Sequence, residues 1–195
     1  MASEVNDGQI LEHFKSSGAL LDGHFILTSG LHSAKYLQSA LALQFSADAA
    51  KFGRSIARHF EDQGIDAVAS PAIGGIVIGY AVASALNVRF IWTERQEGEM
   101  TLRRGFSVRR GERILVVEDV ITTGGSTREC IGALENEGAA IVGAASIIDR
   151  SNGKADVGVP RMSLFAMDVP VFPPDECPMC LRGEIAVKPG SRTTK

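Results

Sequence analysis

A doubly wound α/β fold around a mostly parallel sheet is predicted by three features of this 195-residue sequence. Short β-branched runs alternate with helical stretches through the middle of the chain, the pattern of βαβ crossovers. The strand candidates are continuous apolar runs with little in–out alternation, as expected when helices cover both faces of a sheet. Residues that start and stop helices fall at the ends of the helical stretches.

In chain order, residues 1–45 contain an amphipathic start carrying Ile10, Leu11 and Phe14. Ser46 is placed to cap a helix in which Phe52, Ile56 and Phe60 recur at i, i+4 and i+8, with Gly64 at its C-terminal end. DAVAS (66–70) is a strand followed by a helix near 75–86, and VRFIWT (88–93) is the next strand. RILVVEDV (113–120) leads into a helix near 126–137 that ends before Gly138, and AIVGAASIID (140–149) is the last core strand. Cys130, Ile131 and Leu134 share one face of that helix, so Cys130 reads as packing. The chain is expected to be one domain, 1–195. Its core is 46–155, and the segments 1–45 and 156–195 form a small hood over the C-terminal edge of the sheet, where ligands of open parallel sheets bind.

Composition narrows the function classes. With 45% hydrophobic and 22% charged residues the chain can bury a core. A net charge of −3 and a pI near 5.8 argue against coating nucleic acid or an anionic membrane, so neither is expected as a partner. The weakly polar run from Pro71 to Leu86 falls short of the roughly 20 residues a membrane span needs. The N-terminus has no basic region followed by an apolar one, and three cysteines are too few for a disulfide scaffold, so a cytoplasmic location is expected. No internal repeat or low-complexity segment occurs.

The most informative stretch is ILVVEDVITTGGST (114–127). A hydrophobic strand runs into Glu118 and Asp119, then a Thr/Gly/Ser turn, then a helix start, where free N–H groups and the helix dipole attract phosphate. Gly124 and Gly125 allow close backbone approach, and Thr122, Thr123, Ser126 and Thr127 add hydroxyls. The loop lacks the lysine of a Walker A motif and the G-x-G-x-x-G of a dinucleotide site. Two acids beside an anion cradle suit a ligand with both hydroxyls and a phosphate, such as a ribose phosphate. The plainer reading is helix capping and a turn. SPAIGG (70–75) is a second strand-to-helix turn rich in glycine.

Residues 118–127 resemble the phosphoribosyl pyrophosphate (PRPP) signature of the type I phosphoribosyltransferases. FILTSGLHSAKYLQ (25–38), SPAIGG (70–75), TERQEGEMTLRRGF (93–106), IIDRSNG (147–153) and CPMCLRGEIAVKPGS (177–191) resemble the orotate-using branch of that family. The resemblance implies transfer of 5-phosphoribose from PRPP to orotate, giving orotidine 5-phosphate and pyrophosphate in UMP biosynthesis. It further implies Mg²⁺ as cofactor, held mainly through PRPP rather than by direct protein ligands. Glu118, Asp119 and Arg95 are the implied catalytic residues, with the acids on the ribose hydroxyls. Val120, Ile121 and the segment Thr122, Thr123, Gly124, Gly125, Ser126 and Thr127 complete the implied PRPP site, the last six around the 5-phosphate. Ala72, Ile73, Gly74 and Gly75 form the implied pyrophosphate loop, and Thr122 and Arg150 contact orotate. Residues 95–107, by themselves a polar solvated loop, become a mobile segment that closes from the neighbouring subunit of a homodimer.

The sequence departs from the family pattern at several points. Gln96 stands where a lysine is common, the downstream Lys and His have no counterpart, and Arg103 or Arg104 are the substitutes on offer. Gly74 and Thr28 also replace lysines. Tyr36 either stacks on the pyrimidine or lines the core. His24 and His32 read as loop histidines with no metal-binding spacing, and the single C-x-x-C of Cys177 and Cys180 reads as a structural turn, with half a zinc site, a redox pair and a subunit bridge as alternatives. Two other functions compete, namely transfer to a different base and PRPP sensing by a regulator of nucleic acid.

Overall fold

The computed structural model describes residues 6–27 and 29–189; Thr28, and Gly190 and Ser191 of the tail motif, lie outside them. In chain order the elements are α1 (Asp7–Ser16), β1 (Leu20–Ile26), β2 (His32–Leu37), α2 (Ser39–Leu43), α3 (Ser46–Phe60), β3 (Ala67–Pro71), α4 (Gly75–Leu86) and β4 (Arg89–Gln96). There follow β5 (Glu99–Leu102), β6 (Arg113–Ile121), α5 (Gly125–Asn136), β7 (Ala140–Asp149), β8 (Arg161–Ala166), β9 (Val171–Phe172) and α6 (Pro178–Leu181).

Six strands form one sheet in the order β5-β4-β3-β6-β7-β8, and β4 through β8 of that order run parallel while β5 is antiparallel at the edge. The central strands are buried along their length, and alternate residues face opposite layers. Val68, Leu115, Val117, Ala145 and Ile147 pack against α1, α3 and α4, through Ile10, Phe14, Phe52, Ile56, Ile78 and Val82. Ala67, Ala69, Ile114, Val116 and Ala144 pack against Cys130, Ile131 and Leu134 of α5 on the other face. The fold is therefore doubly wound. A second, three-stranded antiparallel sheet of order β1-β2-β9 joins the N- and C-terminal segments into the hood.

The structure moves four expectations. The main sheet does not stop at 155, because Arg161–Ala166 pairs in parallel with β7. Its half-buried residues give an edge strand no continuous apolar run to announce it. The N-cap of α3 is Phe45, in extended backbone and with no side-chain cap bond, so Ser46 is the first helical residue. Half of the expected loop 95–107 is a hairpin: β4 continues through Gln96 and returns as β5 by way of Glu97 (φ 54°) and Gly98 (φ 91°), two positive-φ residues as a type I′ turn requires. His24 and His32, finally, are buried strand residues rather than loop residues. Among the described residues no helix is long and apolar enough to cross a membrane.

Close approach of α4 to the sheet sets where its N-terminal loop lies. A Cβ at Gly79 would sit 2.1 Å from Ser70 Oγ and 2.6 Å from the Phe90 ring, so the helix rests directly on β3 and β4. Gly79→Ala is expected to overpack this contact and lower stability by about 1–3 kcal/mol, read as a reduced midpoint in urea denaturation with an unchanged m-value.

Candidate active site

β6 carries its buried apolar run to Val117 and then presents Glu118 and Asp119 at its C-terminal end. Glu118 is buried and Asp119 half-buried. Asp119 N–H donates to Glu118 Oε1 (3.2 Å), and Val120 N–H donates to Asp119 Oδ1 (2.8 Å). Burial pushes the Glu118 carboxyl well above its ordinary pKa, and the adjacent Asp119 adds to the effect.

The loop between β3 and α4 lies against both acids. A Cβ at Gly74 would fall 2.9 Å from Asp119 Oδ1, and one at Gly75 would fall 3.0 Å from Glu118 Oε1 and 2.9 Å from the Val117 carbonyl oxygen. Only residues without side chains fit there in this backbone. The Ala72–Ile73 peptide bond is cis, and Ile73 is exposed. The turn of residues 72–75 thus lies at the same end of the sheet as the acidic pair, with its two glycines packed on the carboxylates.

After Ile121 the chain crosses the exposed Thr122 and Thr123 and enters α5 through Gly124, whose φ of 76° places the helix N-cap in the left-handed region. No side chain caps this helix and its first turn holds no acid, so the leading backbone N–H groups face outward with the positive dipole end. Arg128 fastens the turn from behind, with its guanidinium donating to the Thr123 carbonyl (3.1 Å) and to that of Asp156. Ser126 is exposed, whereas Thr127 is buried. Thr127, the third residue of the helix, is 1% exposed, the least open of the four hydroxyl-bearing residues of the turn.

A cavity of about 390 Å³ opens beside this turn, lined by Leu27, Ser29, Leu31 and Tyr36 of the hood, Thr122 and Thr123 of the turn, Arg150, and Val169 and Val171. Burial lowers the Arg150 guanidinium pKa against the opposing pull of Tyr36. Among the described residues no carboxylate pairs with it. Arg150 is held in place from both sides. Its N–H donates to the Ile121 carbonyl (2.8 Å), and the buried Asp149 before it accepts from Ser151 N–H (2.8 Å), Ser151 Oγ (2.6 Å), Gly153 N–H (2.8 Å) and Arg161 Nη1 (2.9 Å). Burial opposes the charge on Asp149, yet these bonds hold its pKa below the usual value. Sequence reasoning missed Asp149; the signal was there in Asp-x-Ser-x-Gly, the spacing at which an aspartate organises its own turn. Tyr36 is half-buried, 5.7 Å from the Phe25 ring, and faces the cavity.

Arg95 stands apart from this group on the β4–β5 hairpin, donating to the Gly98 carbonyl (2.8 Å) and paired with Glu129 of α5. Both partners are exposed, so the pair is weak. Arg103 and Arg104 are engaged elsewhere: Arg104 forks onto Glu94 (2.8 and 3.1 Å) and Arg103 reaches the same carboxylate (3.4 Å). With Trp92 Nε1 also donating (2.9 Å), the Glu94 pKa is lowered to about 2.

The phosphoribosyl transferase domain family matches residues 43–174 of the chain. The orotate phosphoribosyltransferase of Caldicellulosiruptor bescii is 48% identical over 188 residues, 96% of this chain and 99% of that protein. That of Pelotomaculum thermopropionicum is 50% identical over 184 residues, 94% and 97% of the two chains. The chain belongs to the orotate phosphoribosyltransferase family. For this orotate phosphoribosyltransferase family member, the structure of the Aeropyrum pernix orotate phosphoribosyltransferase aligns with a TM-score of 0.66 at 23% identity, covering 81% of this chain and 93% of that one. A Mycobacterium tuberculosis orotate phosphoribosyltransferase in complex with PRPP aligns with a TM-score of 0.62 at 24% identity, covering 80% and 95%. At these identities the likeness is one of fold.

The raised Glu118 pKa has a consequence for stability. Stability is fully present below the ordinary carboxylate pKa and is lost as pH rises through the raised folded value. Glu118→Gln is therefore expected to raise Tm at neutral pH by about 2–6 °C, a gain that vanishes near pH 4. A gain absent at every pH in differential scanning fluorimetry contradicts the desolvation of Glu118.

Proposed function

We propose that the chain transfers the 5-phosphoribosyl group of PRPP to orotate, yielding orotidine 5-phosphate and pyrophosphate, as the phosphoribosyl-transfer step of pyrimidine nucleotide synthesis. The observation that carries this reading is the desolvated, unpaired Arg150 guanidinium in the cavity beside the acidic pair and the α5 N-terminus. It suits a planar base bearing a carboxylate, and the near full-length identity to orotate phosphoribosyltransferases points the same way.

In this reading the N–H groups of Gly124, Gly125, Ser126 and Thr127 and the hydroxyls of Thr122, Thr123 and Ser126 bind the 5-phosphate. Val120 and Ile121 supply the backbone leading into that cradle. Glu118 and Asp119 hold the ribose hydroxyls. Ala72, Ile73, Gly74 and Gly75 offer backbone to the pyrophosphate across the cleft. Arg150 and Thr122 orient orotate, with Tyr36 along the base. The ring nitrogen of orotate bonds to C1 as the C1–O bond to pyrophosphate breaks, and the ring N–H proton passes to the departing pyrophosphate or to solvent, so no protein nucleophile is needed. Catalysis comes from positioning and from the negative field of the two acids near a ribose that gains positive charge.

Mg²⁺ suits this site by donor chemistry, because the side chains that end β6 at the cleft are the carboxylates of Glu118 and Asp119, hard oxygen donors. It would be held mainly through PRPP oxygens, with no direct protein ligand. When bound it neutralises charge on the leaving pyrophosphate.

A homodimer is part of the proposal. An apolar groove of about 470 Å³ between α3 and α4, lined by Leu43, Ala49, Val77, Tyr80 and Ala81, is flanked by the exposed Phe45 and Ile73. Arg95, on an exposed hairpin at the sheet edge, is free to exchange Glu129 for a partner's pyrophosphate. A cytoplasmic setting belongs to the same proposal, and the free thiols of Cys130, Cys177 and Cys180 suit a reducing compartment.

Ultraviolet monitoring of orotate tests the reaction. Loss of orotate absorbance should require both PRPP and Mg²⁺, and turnover of adenine, hypoxanthine, guanine or uracil in its place overturns the assignment. Asp119→Asn should lower kcat by about 100-fold or more with Tm almost unchanged, and wild-type turnover in that variant removes the acidic pair from the mechanism. Arg95→Ala should be as deficient alone, and an equal mixture with Asp119→Asn should recover about a quarter of wild-type activity through hybrid dimers. No recovery after verified subunit exchange places Arg95 in its own subunit's site.

A further inference from the structure

Four side chains far apart in sequence meet where the C-terminal segment crosses the hood. His24 lies in β1, His32 in β2, Cys177 at the N-cap of α6 and Cys180 within that helix. One ligand atom from each lies within 4.8 Å of all the others. His24 Nε2 is 2.8 Å from His32 Nδ1, 3.5 Å from Cys177 Sγ and 3.7 Å from Cys180 Sγ, while Cys180 Sγ is 3.3 Å from His32 Nδ1. Cys177, His24 and His32 are buried and Cys180 is half-buried, and all three cysteines of the described chain are free thiols.

This geometry is that of a coordination shell. A tetrahedral ion with Zn–S near 2.3 Å and Zn–N near 2.0–2.1 Å separates its ligand atoms by about 3.3–3.8 Å. The three sulfur–nitrogen distances already fall in or near that range, and the nitrogen–nitrogen distance reaches it if the rings part by about 0.5 Å. His24 is oriented for the task, because its Nδ1 lies 2.9 Å from the Glu184 carbonyl and donates to it, which leaves the Nε2 lone pair directed at the cluster. A backbone carbonyl behind a ligating imidazole is the usual outer partner of a metal-bound histidine. The donor set is two thiols and two imidazoles with no carboxylate, which suits zinc and not magnesium or calcium.

We propose that His24, His32, Cys177 and Cys180 bind one Zn²⁺ in a closed, four-ligand structural site. Four protein ligands leave no open position, so the ion organises the hood instead of acting on substrate. It clips the C-terminal segment to the β1–β2 hairpin, beside the place where Ile26 N–H donates to the Val187 carbonyl (2.8 Å) and Val187 N–H to the His24 carbonyl (2.9 Å). The loop joining that hairpin carries Leu27, Ser29 and Leu31 of the cavity wall, so the ion would steady one side of the cavity from outside it. Binding releases the two thiol protons as the cysteines become thiolates, with no change in oxidation state.

Metal analysis of the full chain, purified under reducing conditions without chelator from zinc-supplemented medium, tests this. Mass spectrometry of the metals should find one zinc per chain, retained through gel filtration and released by a mercurial thiol reagent. Replacement by Co²⁺ should give the visible bands of tetrahedral cobalt and a thiolate-to-cobalt charge-transfer band. Cys180→Ser, at the half-buried position, should lose the charge-transfer intensity from one thiolate while the protein stays folded by circular dichroism. Folded wild-type protein with no more zinc than a metal-free control, a cobalt spectrum lacking charge transfer, or a Cys177–Cys180 disulfide that persists under reductant each overturns the proposal. None of these readouts uses turnover, so failure here and failure of the transferase reading are distinguishable.

Discussion

Two adjacent carboxylates at the end of a buried strand are tolerable only if one is neutralised or if something polar is brought to them, and much of this molecule is arranged around that demand. The β3–α4 loop lies on the pair as bare backbone at Gly74 and Gly75, and the α5 N-terminus starts a few residues further along the same chain. Desolvation raises the Glu118 pKa, so the free protein carries a carboxyl whose charged form is disfavoured where it stands. A parallel sheet makes this economical, because β3, β6 and β7 all deliver their C-terminal ends to one edge.

The second demand is made by Arg150. A guanidinium withdrawn from water without a carboxylate partner is costly, and the turn organised by Asp149 and Arg161 holds it there. Fold alone does not decide what it meets. In the proposed reading, discrimination among bases falls to the cavity wall, where Arg150 would select by charge and Tyr36 and the aliphatic side chains by shape.

What was legible in the sequence was what neighbouring residues say about each other. The apolar runs of β3, β6 and β7 and the periodic faces of α3 and α5 depend on spacing alone, and the acidic pair with its glycine-rich turn is contiguous from 118 to 127. Elements that depend on distant partners were hidden. β8 is half-buried and carries no strong pattern, and β5 exists because Glu97 and Gly98 adopt positive φ in a stretch whose composition reads as loop. The hood walls of the cavity, and the meeting of two strand histidines with a C-x-x-C about 150 residues away, are products of tertiary structure that no local window contains. Thr127 shows the converse case, since its place in the motif does not tell that it is nearly enclosed while Ser126 beside it is exposed.

The hood has a direction in time. Ser33 Oγ donates to the Pro170 carbonyl across 137 residues, and His24 reaches Glu184 across 160, while the contacts of the main sheet are between strands much nearer in sequence. Such distant pairings must wait on loop closure, and on the ribosome they must wait on synthesis itself. The six-stranded sheet, which ends at Ala166, is available to form while the C-terminal segment that completes the hood, with Val169 and Val171 of the cavity wall, is still being made. A nascent chain is thus able to set Arg150, the acidic pair and the α5 terminus at the sheet's edge before the hood gains its third strand.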